Sequence, residues 1–203
     1  MSTAHACADR PLTGHEVRFG DDEVIVSKTD PDSRITYVNE VFLKVSGYAE
    51  SEVLGQPHNI IRHPAMPRCV FKLLWDTIRT GTEIFAYVVN RARNGDHYWV
   101  FAHVTPTFDA QGRIINYHSN RRCPARSVIP KVEALYARLL AVEQAAADRE
   151  SGMQASTALL HQILSEAGLQ YDEWVFSLAA SALVAPDQAQ PATSPLTYTR
   201  QAA

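Results

Sequence analysis

The sequence predicts an α+β domain: a five-stranded antiparallel sheet with short helices over one face, followed by a helical extension. Three observations carry this reading. Five runs rich in β-branched and aromatic residues are separated by turn-forming residues. Between the second and third runs lie short stretches of helical spacing broken by Gly and Pro. After Pro130 the apolar period changes from that of a strand to that of a helix.

The first strand signal is Glu23 to Lys28 (EVIVSK), followed by TDPDS, where Asp and Pro favour a tight reversal. Arg34 to Val38 (RITYV) returns, so the pair is expected to form a hairpin. Asn39 then precedes EVFLKVSGY, in which Val41, Phe42 and Val45 have helical spacing; Asn39 is a candidate N-cap and Gly47 ends the helix. Short turns fill the stretch from Ala49 to Arg62. A longer helix is expected from Pro67 to Thr80, with Val70, Leu73, Leu74 and Ile78 as its apolar stripe and Gly81 as its terminator. EIFAYVVNRAR runs to Asn94-Gly95, a dipeptide that favours a type I′ hairpin turn; DHYWVFAHVTPTF returns, DAQGR turns again, and IINYHSNRR is the last strand.

The strand after the Asn94-Gly95 turn, taken as central, is apolar on both faces: Tyr98, Val100, Ala102 and Val104 share one parity, Trp99 and Phe101 the other. Its outer face therefore needs a cover, either a flanking helix or a second subunit. Candidates follow in the chain. Val132, Leu135, Tyr136, Leu139, Leu140 and Val142 form a helical stripe that extends to about Glu150. A second run after Ser151-Gly152 carries Leu159, Leu160, Ile163 and Leu164; beyond Gly168 come Tyr171, Trp174, Val175 and Leu178. The organisation expected is a flexible lead-in over 1–20, the mixed domain over 21–123, helices over 127–184, and a disordered tail over 185–203, where Pro, Ser, Thr, Gln and Ala dominate.

Of the 203 residues, 46% are apolar and 20% charged, which excludes disorder of the whole chain. A formal net charge of −3 argues against nucleic-acid binding. No run approaches the length of a membrane span, and the N-terminus lacks the basic-then-apolar order of a signal peptide. A cytoplasmic location is expected, with Cys7, Cys69 and Cys123 reduced and spaced unlike a zinc site or CxxC pair. No GxSxG, P-loop, HExxH or Rossmann pattern is present, so no enzyme is expected.

The segments ITYVNEVFLKVSGYAESEVLGQPHNIIRHPAMP, NRARNGDHYWVFAHVTP and GRIINYHSNRR resemble a PAS domain over about Glu23 to Arg122, and GQPHNIIRHPAMP resembles in particular the aerotaxis-receptor branch. The resemblance implies a sensory module with a pocket between sheet and inserted helices. In that branch the pocket holds FAD noncovalently and reports redox state to the chemotaxis machinery. The resemblance implies a signalling partner such as a chemoreceptor or kinase, while the apolar outer face is itself expected to be buried, in a homodimer through that face or the helices or under the chain's own helix Val132 to Val142. Asn39, Arg62, His63 and Asn90 match positions tied to flavin binding or to folding around it. Arg62 and His63 offer charge and hydrogen bonds to a pyrophosphate, or else hold a loop; Asn39 either reaches the ligand or only caps its helix. Asn90 can pair with the donor and acceptor edge of an isoalloxazine ring.

The chain departs from that branch at three positions. Phe85 stands where a Trp is common, Ala65 where an Asp is usual, and His118 where a smaller residue or a thioether is usual. His118, if inward, contacts a flavin, ligates a haem or fills a packed core. The resemblance argues against cysteinyl-flavin photochemistry, because His58 falls at the photoactive Cys position, Val100 replaces a flavin-contacting Asn, and Cys69 lies on the next helix. Haem is the weaker alternative, since the helix expected to carry its proximal His has none. A cofactor-free dimerisation module is the other reading.

Overall fold

The computed structural model describes residues 10–184; the expectations for Cys7 and for the tail lie outside the described residues. The five expected strands are present as β1 (Ile25–Thr29), β2 (Ile35–Val38), β3 (Ile84–Arg91), β4 (His97–Phe108) and β5 (Ile114–Arg122). They form one antiparallel sheet in the order β2-β1-β5-β4-β3. The middle strand is therefore β5, not β4, because the last strand inserts between the two hairpins.

Between the hairpins lie α1 (Glu40–Ser46), α2 (Glu50–Val53), a 3-10 turn (His58–Ile61) and α3 (Arg68–Arg79). Asn39 caps α1, its side-chain oxygen accepting from the Phe42 amide, and Gly47 closes the helix in the left-handed conformation. The Asn94-Gly95 turn is not type I′. That turn needs two positive φ angles, and of the pair only Gly95 has one, at 98°. Instead the Gly95 amide donates to Ala92 and the Ala92 amide to Asp96, closing a three-residue loop in which Asn94 binds Asp96. A Cβ on Gly95 would sit 2.2 Å from the Pro11 carbonyl oxygen, because the N-terminal segment crosses there.

That segment is not a loose lead-in over residues 10–20. His15 accepts from the His97 amide, Val17 donates to the His97 carbonyl, and Glu16 forms a two-pronged ion pair with Arg126 at 2.5 and 2.8 Å.

The extension folds as α4 (Ile129–Ala145), α5 (Arg149–Glu166) and α6 (Tyr171–Val184). The break between α4 and α5 falls at 146–148, where Asp148 caps α5, not at Ser151-Gly152. Gly152 lies inside α5. There a Cβ would approach the Glu143 carbonyl oxygen to 2.7 Å, so this glycine permits close helix contact and does not end a helix.

The outer face of β3 and β4 is covered by the chain itself. Tyr87, Val89 and Trp99 are buried in one apolar cluster with Val132, Leu135, Tyr136 and Leu139 of α4 and with Val175 and Leu178 of α6. Tyr136 stacks near Trp99 and donates to the Tyr87 carbonyl at 2.6 Å. Phe101 packs against Phe85, Tyr87 and Phe176. Of the two covers the sequence left open for these strands, the flanking helix is the one the structure contains.

Candidate functional site

The side chains of alternating strand residues and the side of α3 that faces them bound a cavity of about 400 Å³. Its sheet wall is Ser27 and Thr29 of β1, Val88 and Asn90 of β3, Ala102 and Val104 of β4, and Tyr117, Ser119 and Arg121 of β5. Alternation fixes this set: Ser27 pairs with Ser119, Ala102 with Arg121, and Asn90 with Tyr98, so all point to one side. His58 closes it from the 3-10 turn, Arg62 from the residue just after that turn, and Phe71, Leu74, Trp75 and Ile78 from α3.

Three polar atoms on the sheet wall are buried with no hydrogen-bond partner among the described residues: Asn90 Nδ2, Ser119 Oγ and Arg121 Nη1. Buried polar groups are otherwise nearly always paired. Arg121 is the most unusual of them. It is 4% exposed, and its Nη2 donates to Ser27 Oγ at 2.9 Å and to His58 Nε2 at 2.6 Å. Burial lowers the guanidinium to a pKa of about 10, which leaves it charged at neutral pH. Burial, then the Arg121 charge, pushes His58 down to about 3, so His58 is a neutral acceptor. No carboxylate is paired with Arg121 among the described residues.

Arg62 lies over the Phe71 ring at 4.7 Å and donates to the Met66 carbonyl at 3.3 Å, which fixes its guanidinium at the cavity. Its pKa is lowered by burial first, then by the Arg149 and Arg68 charges.

Of the eight residues singled out from sequence, the structure brings His58, Arg62 and Asn90 together at the cavity. Val100 faces the same side but is fully buried in the core and does not line the cavity. Asn39 is committed elsewhere: its side chain accepts from Phe42 and Val26 and donates to the Val24 carbonyl. His63 turns away from Arg62 into a second space with His97, 5.8 Å between ring centroids, where burial pushes it down to about 4. Phe85 and His118 lie on the outer face. Phe85 stacks flat on His103 at 4.1 Å, and His118 bonds Asn120. Their strand parity is opposite to that of Asn90 and Arg121, which excludes them from this cavity.

Arg121, Ser119 and Ser27 are the site residues that sequence reasoning missed. The signal was the alternation of IINYHSNRR, in which Tyr117, Ser119 and Arg121 share a face. Cys69 is buried at the start of α3 outside the cavity lining, and burial raises its thiol pKa.

Residues 35–121 match the PAS fold family. The chain is 42% identical over 125 residues to the aerotaxis receptor of Escherichia coli strain K12, an alignment spanning 62% of this chain and 24% of the receptor. It is 29% identical over 99 residues to the nitrogen fixation regulatory protein of Klebsiella pneumoniae, spanning 49% of this chain and 20% of that protein. A solved light-oxygen-voltage domain, studied with a flavin analogue, superposes with a TM-score of 0.51 at 20% identity, over 57% of this chain and 88% of that one; it shares the fold. The chain thus spans a quarter or less of the length of these curated relatives. No helix among the described residues is long and apolar enough to cross a membrane.

Proposed function

We propose, from the premise that residues 35–121 are a PAS domain, that this protein is a cytoplasmic redox or oxygen sensor that holds FAD noncovalently and serves chemotaxis-type signalling. One observation carries the proposal: a cavity of ligand size whose sheet wall presents three buried polar atoms without partners. A flavin ring carries hydrogen-bond acceptors and an N–H along one edge, which is the complement such a wall lacks. The likeness to an aerotaxis receptor supports the same reading. When bound, the flavin supplies reversible electron uptake.

The residues of the chain have distinct tasks in this scheme. The Asn90 amide offers a donor and an acceptor to the ring edge. Ser119 supplies a hydroxyl. Arg121 would hold a positive charge beside a bound ring, which would favour its more negative, reduced form, and neutral His58 orients the guanidinium. Differential contact of this kind is what shifts a two-state equilibrium. A route to the outer face exists on β3. Asn90 faces the cavity, while three residues earlier the Tyr87 carbonyl receives the Tyr136 hydroxyl of α4. The signalling partner is expected to read α4 to α6.

The test is the absorption spectrum of protein purified from cells, with chromatographic identification of the released cofactor. Flavin bands and released FAD are expected, and Arg121→Met is expected to retain less flavin than Arg122→Met, whose parent residue is exposed on the opposite face. A colourless protein that takes up no added FAD overturns the proposal. A Soret band redirects it to haem.

A further inference from the structure

Arg149, the first residue of α5, and Met153, one turn further, line the same cavity as Arg62, Arg68 and Phe71. The helical extension therefore forms part of the cavity wall, because α5 packs along α3. Three guanidinium groups converge there, from just after the 3-10 turn, from α3 and from α5.

The carboxylates nearby are committed elsewhere. Glu143 accepts from the Arg68 and Cys69 amides and from the Ser156 hydroxyl, and only its second oxygen approaches Arg68 Nη1, at 4.0 Å. Asp148 accepts from the Glu150 and Ser151 amides as the cap of α5. Neither Arg62 nor Arg149 forms an ion pair among the described residues. The cations further along α3 are already engaged: Lys72 is paired with Asp76, and Arg79 lies over the Trp75 ring at 5.4 Å. Excess positive charge is thus concentrated at one end. Guanidinium forks match phosphate oxygens geometrically, and like charges held together are relieved by a multivalent anion.

We infer that the phosphate-bearing tail of the ligand leaves the cavity between α3 and α5, where Arg149 and Arg68 join Arg62 to hold it. This rests on the flavin reading. It adds that the helical extension completes the binding site, so ligand loading is registered directly by α5. The sheet wall holds the ring and the arginine end holds the phosphate.

The experiment titrates ligand-stripped full-length protein with riboflavin, FMN and FAD, followed by quenching of flavin fluorescence. The parent is expected to bind the two phosphorylated flavins more tightly than riboflavin. Arg149→Gln is expected to weaken FMN and FAD roughly tenfold to a hundredfold, the worth of a charge-assisted hydrogen bond, and to leave riboflavin unchanged. Arg138→Gln, on the exposed side of α4, is expected to change none of the three. Unchanged FMN and FAD affinity in Arg149→Gln overturns the inference while the flavin reading stands. Equal weakening of all three ligands also overturns it, since that marks a structural role for Arg149. Failure of the parent to bind any flavin overturns the flavin reading itself, and the inference with it.

Discussion

Arg121 carries a positive charge into a sheet wall whose other side chains are uncharged, and one group that accepts its hydrogen bonds is an imidazole, not a carboxylate. An imidazole can do this only while unprotonated. That condition has a pH signature. His58 is held down to about 3 in the folded chain, against an ordinary value of 6.5. Between those values the unfolded chain binds a proton that the folded chain refuses, so stability falls as pH drops from about 6.5 towards 3 and is unaffected above. The slope approaches about 1.4 kcal/mol per pH unit for one site. His63, held at about 4, adds to the same limb over a narrower window. His58→Gln keeps an acceptor for Arg121 but removes the titration, so it is expected to flatten the decline in melting temperature between pH 7 and pH 5. An acid limb as steep as the parent's would mean that His58 protonates freely in the fold.

The motif singles out Asn90 and Arg62, and both line the cavity. Motif position makes Phe85 and His118 pocket candidates, His118 only if it points inward, but strand parity sets both apart: Phe85 and Asn90 are five residues apart, so alternation alone separates them. Arg121 escapes a motif-based reading because an inward arginine violates the usual expectation that charge faces water.

At the scale of elements, α3 begins without a cap of its own. Pro67 provides no side-chain acceptor, and the first amides are received by Glu143 at 2.7 and 3.1 Å, a carboxylate from α4, 75 residues away from Arg68. Ser156 of α5 donates to the same oxygen at 2.9 Å. One buried carboxylate thus joins three helices, and its charge favours the helix N-terminus. The sequence predicted α3 within a residue at each end, since its stripe and flanking Pro and Gly are local. It could not predict this cap, because the partner is set by tertiary packing. Nor does it place the α4–α5 break: the second run is expected to start after Ser151-Gly152, whereas Gly152 lies inside α5 because the close approach of α4 requires it. Glu143→Ala is expected to lower stability by roughly 1.5–3 kcal/mol, the cost of stranding charged-group hydrogen bonds. Glu143→Gln, which retains an oxygen acceptor, is expected to lose less. Urea midpoints at neutral pH measure both, and equal midpoints for Ala and parent would refute the clamp.

For the molecule as a whole, the sheet's outer face is the deciding surface. Its apolar half, on β3 and β4, lies under α4 and α6, while the half on β5 carries His118, Asn120 and Arg122 and is partly exposed. A sheet closed in this way does not need a second copy to cover Tyr87, Val89 and Trp99. The sequence established that a cover was required, because β4 is apolar on both faces, but two covers fit equally well and only the path of α4 decides between them. Phe101 tests the outcome. It is partly buried against Phe85, Tyr87 and Phe176, so Phe101→Glu removes aromatic packing and pushes a carboxylate between apolar rings. Since a fully buried Phe→Ala change costs about 3–5 kcal/mol, a loss of roughly 2–4 kcal/mol is expected at this half-buried position. At roughly 2–4 °C per kcal/mol for a chain of this size, the melting temperature is expected to fall by about 4–16 °C. The mass in solution is the second half of the test. If the chain's own helices cover this face, light scattering gives the same mass for variant and parent while the melting temperature falls. A parent that is a dimer and a variant that is a monomer would assign the face to a second copy, and α4 and α6 would then have to leave it in solution.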